Sequence, residues 1–178
     1  MKRIVSLVLI CVFMLSLCAC EAGPTLVGTT PTGNNAANET PTPDADKTFK
    51  VGDSVELKDI VVTFLGVTES AGSQFNVPAE GKVYLLCEFE IANNSNNELT
   101  VSSMLNFEAY YDDYACDYSI GALMEKGDKD QLDGSVAAGK KMKGVIGFEV
   151  PSDWAELEIQ YTPDLFSNGK IVFIATNN

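Results

Sequence analysis

Between Val83 and Ile91 the chain alternates: Val83, Leu85, Cys87, Phe89 and Ile91 are apolar, and Tyr84, Leu86, Glu88 and Glu90 lie between them. A period of two fits a strand with one face on a core and one toward water; helical apolar positions recur every three to four residues instead. The same alternation returns at Ile60, Val62 and Phe64, at Met142, Ile146, Phe148 and Val150, and at Leu157, Ile159 and Tyr161. Turn-forming residues separate these runs: Ala71-Gly72-Ser73, Asn93 to Asn97, Ala138-Gly139, Pro151-Ser152-Asp153 and Ser167-Asn168-Gly169. Asn93 to Asn97 and Gly139 are expected to take left-handed turn conformations, and Pro151 to end a strand. Strands are expected near 53–58, 59–69, 81–92, 97–101, 104–118 as a bent pair, 141–150, 155–162 and 170–175. Gly121 to Asp133 is expected to be a loop with one helical turn at Ala122-Leu123-Met124-Glu125. The pattern predicts an all-β fold for residues 48–178, an antiparallel immunoglobulin-like β-sandwich of about seven or eight strands.

The first 47 residues have another character. Met1-Lys2-Arg3 precedes an uncharged apolar stretch from Ile4 to Leu17, and the small residue Ala19 precedes Cys20. This is the layout of a secretory signal peptide, and the apolar run is shorter than the roughly 20 residues a spanning helix needs. Leu17-Cys18-Ala19-Cys20 resembles a bacterial lipobox, which implies cleavage after Ala19 and a diacylglyceryl group on Cys20. Cys18 fits less well, because bulky Leu17 would take the position that needs a small side chain. Residues 20–47, rich in Thr, Pro, Asn, Gly and Ala, are expected to form a disordered, lipid-anchored linker spanning roughly 30 Å on average. The Cys-x-Cys pair is therefore not expected to be a metal or redox site. Cleavage discards Cys11 and Cys18, leaving Cys87 and Cys116 as the domain's thiols.

Cleavage also removes Lys2 and Arg3, which leaves ten lysines against all 25 acids, a formal charge of −15. That balance argues against nucleic acid as a partner. Histidine is absent, which excludes Ser-His-Asp and Cys-His catalysis and His-containing zinc sites. Binding rather than catalysis is expected, with no cofactor and no resident metal.

Four further features are candidates for chemistry or structure. Cys87 and Cys116 both have inward parity, and a disulfide between them would close a loop of about 30 residues; two unpaired core thiols are the alternative. Tyr110-Tyr111-Asp112-Asp113-Tyr114 combines aromatic faces with carboxylates, as a glycan-binding surface would, or places alternate tyrosines in the core around an Asp112-Asp113 hairpin turn. Asp128 to Gly134 is acidic enough to suggest weak calcium binding, but Leu132 and Asp133 break the EF-hand spacing. Lys140, Lys141 and Lys143 are expected to protect a strand edge, and Trp154 to cap one end of the sandwich.

Several phrases resemble a known family when taken together. They are Phe75-Asn76-Val77-Pro78-Ala79-Glu80-Gly81-Lys82, a strand ending Phe89-Glu90-Ile91-Ala92-Asn93-Asn94-Ser95, and Gly139-Lys140-Lys141-Met142-Lys143-Gly144 leading to Phe148-Glu149-Val150-Pro151. The family is one of extracellular immunoglobulin-like domains of unknown function, common in lipoproteins of Gram-positive bacteria and similar in fold to a secreted mycobacterial immunoprotective antigen. The resemblance implies the fold and a location on the outer face of the cell membrane, and transfers no catalytic residue. The resulting expectation is a lipid-anchored module that meets an unidentified surface protein or cell-wall partner, the competing class being a glycan or calcium sensor.

Overall fold

The computed structural model describes residues 25–26, 47–163 and 169–177, so Cys20 and the expected signal peptide lie outside the described residues. In chain order the strands are β1 (Thr25–Leu26), β2 (Thr48–Lys50), β3 (Ser54–Leu57), β4 (Ile60–Ser70), β5 (Lys82–Asn93), β6 (Leu99–Val101), β7 (Phe107–Tyr111), β8 (Tyr114–Cys116), β9 (Gly134–Val136), β10 (Lys141–Pro151), β11 (Glu156–Tyr161) and β12 (Ile171–Thr176). One helix, α1 (Ile120–Met124), lies between β8 and β9. Two five-stranded sheets result, β1-β3-β4-β5-β10 and β2-β12-β11-β7-β8, with β6 and β9 as a separate pair. The expected β-sandwich is the fold. Its pairings are antiparallel except β2 with β12, which run parallel. β1 falls inside the stretch whose composition suggests a tether, and it pairs with Glu56 and Val55 of β3.

The two sheets meet through aromatic side chains supplied by the alternating runs. Phe89 stacks on Phe64 at 4.6 Å and packs against Phe107 at 5.3 Å and Phe173 at 5.7 Å. Two of these contacts cross between the sheets, and such pairs add about 0.5–1.5 kcal/mol each beyond burial. A register shift between Phe64 and Gly66 leaves Leu65 exposed and brings Val67 back opposite Cys87, against the core. The extra residue of a bulge thus resets which face the rest of β4 buries.

The outer face of β5 departs from expectation. Tyr84 and Leu86 sit on the side the alternation assigns to water, yet both are buried. Leu86 joins Leu123 and Val145 in a second apolar cluster, with Tyr118 against it, beneath α1. Gly147 permits the helix to lie this close: a Cβ there would sit 2.7 Å from the Ala122 Cβ and 2.8 Å from the Ser119 carbonyl oxygen. Ser119 caps the helix by accepting from the Ala122 amide at 3.1 Å, and its own amide donates to the Gly147 carbonyl.

One end of the sandwich is organised by Asn93, whose side chain is buried. Its Nδ2 donates to the Asn97 and Val136 carbonyls at 2.7 and 2.8 Å, and its Oδ1 accepts from the amide and hydroxyl of Ser95. Its backbone exchanges hydrogen bonds with Lys140 and Gly139. None of residues 93–97 has a positive φ, so this turn rests on side-chain hydrogen bonds and not on left-handed backbone; Gly139, at φ 71°, does take the left-handed form. Left-handed pairs occur instead at Lys58-Asp59 and Asp112-Asp113, which close the two-residue hairpins β3–β4 and β7–β8. At the opposite end Trp154 is buried as a cap, its indole nitrogen donating to Glu69 at 3.1 Å.

Tyr161 is fully buried 4.8 Å from Phe107, and its hydroxyl has no hydrogen-bond partner among the described residues. An unpaired buried hydroxyl costs about 1–3 kcal/mol. Tyr161→Phe is therefore expected to raise stability by about 1 kcal/mol, read as a higher urea midpoint at unchanged slope; a lower midpoint would show that the hydroxyl is satisfied.

Candidate functional site

The cysteines belong to the sandwich interior. Cys87 is fully buried, Cys116 is half-buried against the same cluster from β8, and among the described residues neither thiol is bridged, so the pair stands as two free thiols and not as the disulfide. Burial pushes Cys116 up to about 11, with the nearby Asp117 carboxylate adding to the rise. Burial raises Cys87 further, and the neighbouring Cys116 contributes in the same direction. These are protonated thiols held as small apolar groups, not activated nucleophiles.

The tyrosine-acid segment divides between structure and surface. Tyr111 packs on the core, whereas Tyr114 is exposed at the sheet edge, its ring stacked 5.8 Å from Tyr111. Tyr110 faces outward in a shallow cleft with Asp112, Asp113, Glu156, Glu158 and Gln160. Asp112 is engaged there in holding the chain, accepting from the amides of Ala155 and Glu156. The Asp128–Gly134 loop is likewise occupied with structure. Leu132 is buried in the core, and the Asp133 carboxylate accepts from the Ser103 amide at 2.9 Å and hydroxyl at 2.6 Å.

The lysines at the start of β10 lie on an outermost strand as expected, but they are used across the sheet. Lys141 pairs with Glu90 and Lys143 with Glu88, each at 2.8 Å. Hydrogen bonds from Lys129 and Lys143 hold the Glu88 carboxyl below its ordinary range.

The surface with the clearest capacity to bind was not singled out by sequence reasoning. It begins at Asn76 in the β4–β5 loop, whose Nδ2 donates to the Gly121 carbonyl at 2.8 Å and to Glu125 at 2.6 Å while its Oδ1 accepts from the Tyr84 hydroxyl. Every polar position of that amide is occupied, fastening the loop to α1. The loop itself is tight: Ser73 and Asn76 exchange backbone hydrogen bonds, and a Cβ on Gly72 (φ 83°) would lie 2.2 Å from the Asn76 carbonyl oxygen. On either side of the fastened Asn76, Phe75 is 93% exposed and Val77 68%. On α1, Ile120 and Met124 lie one turn apart and are each 72% exposed.

Four large apolar side chains are thus exposed around one hydrogen-bonded junction of loop and helix, and clustered exposure of this kind marks interaction sites. Ile120 continues the surface into an open hollow lined by Lys82, Tyr111, Cys116 and Glu149. The surroundings are chiefly acidic: Glu80, Asp117, Glu125 and Glu149, against Lys82 and Lys126. A phenylalanine flanking an asparagine in a Gly-to-Pro turn was the available signal; the partner helix, distant in sequence, gave none.

The raised thiols give the domain an alkaline limit. In the native state both stay protonated, whereas in the unfolded chain they ionise near the ordinary value of about 8.5. The native form then binds more protons than the unfolded one, so this stabilisation is complete below about pH 8.5 and is lost as pH rises toward 11. Under reducing conditions the urea midpoint is expected to be lower at pH 10 than at pH 8, and the drop to shrink in Cys116→Ser; an identical drop in the variant would remove Cys116 from the account.

Similarity to known proteins agrees with this fold. The model of a family described as a domain of unknown function, DUF4352, matches residues 49–171. No curated protein has a matching sequence. Among solved structures, the yjhA protein of Bacillus subtilis superposes with a TM-score of 0.56 at 18% identity, covering 71% of this chain and 98% of that one. The candidate lipoprotein ycdA of Bacillus subtilis gives 0.55 at 18% identity and covers 66% of this chain, but only 36% of its own, so the chain spans about a third of its length. A functionally unknown protein of Listeria monocytogenes gives 0.50 at 13% identity, covering 70% and 80%. At these identities the likeness is one of fold. With more than half of its length matched by the family model, the chain belongs to the DUF4352 family.

Proposed function

We propose that this protein is a lipid-anchored, extracytoplasmic interaction module that binds a protein partner through the Phe75–Val77–Ile120–Met124 platform and catalyses nothing. The observation that carries the reading is the platform itself: large apolar side chains 68–93% exposed, on a loop and helix that hydrogen bonds hold in place. A rigid display loses little side-chain and loop entropy on binding, and exposed Phe, Ile and Met are suited to serve as anchors for a partner's pockets. The acidic surroundings select a partner whose contact patch is apolar at the centre and basic at the rim. The lipobox-like Leu17-Cys18-Ala19-Cys20 supports attachment through Cys20, and tethering raises the effective concentration toward a surface partner.

Two measurements test the halves of this reading. Mass spectrometry of the mature N-terminus from the native membrane is expected to find a diacylglyceryl group on Cys20; a free thiol there removes the anchor. Photo-crosslinkers placed at Phe75 and at Met124 are expected to trap the same protein in cells, and one placed at Tyr110 is not. Phe75→Ala is expected to weaken that association at least about tenfold, as loss of an interface anchor does. Products consisting of lipid, of a second copy of the chain or of unrelated proteins at the two positions would overturn the proposed occupant.

A further inference from the structure

We propose that the domain stands on its membrane with the Asn93 end toward the lipid, held there by addition of β1 to the edge of the first sheet. The inference deepens the preceding one and rests on Cys20 as the attachment point.

Strand polarity supplies the first argument. β1 is antiparallel to β3, with Thr25 opposite Glu56 and Leu26 opposite Val55. β3 runs toward the Lys58-Asp59 turn, and the Asn94 amide donates to the Asp59 carbonyl, so that turn belongs to the Asn93 end. The chain therefore enters β1 from this end. Only Glu21 to Pro24 lie between Cys20 and Thr25 in the sequence, and such a segment reaches at most about 18 Å even when fully extended. The whole stretch up to β2, unpaired, would average roughly 30 Å and could extend to about 90 Å. Pairing of two residues removes most of that slack.

Charge supplies the second argument, independently of β1. Lys47, Lys58, Lys140, Lys141 and Lys170 are all exposed at the Asn93 end, Lys141 in its pair with Glu90. The exposed acids there include Asp59, Glu98 and, directly before β9, Asp133. At the Trp154 end the exposed acids are Glu69, Glu80, Asp112, Asp113, Asp153 and Glu156, and the exposed lysine is Lys82. A chain of net charge −13 thus turns a lysine-bearing end toward the place where its lipid would be, the sign that suits anionic headgroups. The twelve residues of β5 separate the ends by about 40 Å, which directs the Phe75 loop away from the bilayer and toward a protein partner.

The test uses the chain from Cys20 onward, coupled through the residue-20 sulfur to maleimide-bearing lipid in vesicles of phosphatidylglycerol and phosphatidylcholine. Coupling is done at neutral pH on a chain carrying Cys116→Ser, in which the remaining domain thiol, Cys87, is fully buried. A fluorophore is introduced as an unnatural amino acid at Lys58 or at Glu80, and energy transfer to a headgroup acceptor is measured. Transfer from position 58 is expected to be several-fold more efficient than from position 80. The double substitution Thr25→Pro, Leu26→Pro removes both β1 amide donors and is expected to bring the two efficiencies together without changing the melting temperature. Equal transfer in the parent chain overturns the orientation, and a difference that survives the double substitution overturns β1 as its cause. Because the coupling is chemical, these outcomes hold whether or not cells lipidate Cys20, which the N-terminal mass measurement decides separately.

Discussion

Phe89 is the point on which the two sheets depend. Its ring touches Phe64 in its own sheet and Phe107 and Phe173 in the other, so β4, β5, β7 and β12 share one side chain at their centre. Aromatic packing of this kind fixes the spacing of the layers and the register of the strands that feed it, because a one-residue slip in β5 would turn Phe89 outward and Glu88 or Glu90 inward. The bulge at Leu65 follows from the same constraint: it lets Phe64 meet Phe89 while Val67 still faces the core.

Around that centre the two ends do different work. The Asn93 end is closed by a buried amide that uses its side chain to tie three segments, so its turns have little freedom to rearrange. The Trp154 end is closed by an indole and by the Asp112 carboxylate, and beside it α1 and the Phe75 loop are fastened to each other through Asn76. Both ends use a buried or half-buried asparagine as the clamp. One clamp consolidates the fold, and the other presents apolar side chains that the fold does not need.

What was legible in the sequence was whatever repeats locally. The alternation at 83–91 and 157–161 located strands and their buried faces, because a period of two is a property of consecutive residues. Asp112-Asp113 and Trp154 were likewise readable from their immediate neighbours. Leu86 and Tyr84 were misassigned to water because their cover, α1, arrives from some 35 residues away, and periodicity describes a face without saying what lies on it. The helix itself falls about two residues before the expected turn, where Ser119 can cap it. The platform was missed for the same reason: Phe75 and Met124 become one surface only through the Asn76 side chain. β1 lay hidden in a stretch whose composition resembles a tether, and a pairing of two residues leaves almost no compositional trace.

The parallel pairing of β2 with β12 bears on mechanical load. A pull on the N-terminal side of β2 acts along the strand axis, so the register pairs Thr48–Val172, Phe49–Phe173 and Lys50–Ile174 are strained together in shear rather than opened one at a time. Phe49, buried with its ring 6.1 Å from that of Phe173, adds a plug that must be dragged through the core before the pair can part. The two-residue β1 is the weaker link in the same line of force. Two register pairs hold β1 where three pairs and a buried ring hold β2, so β1 yields first. A load entering from the N-terminal side is met by this small pairing before it reaches the sandwich, whose core contacts stay intact.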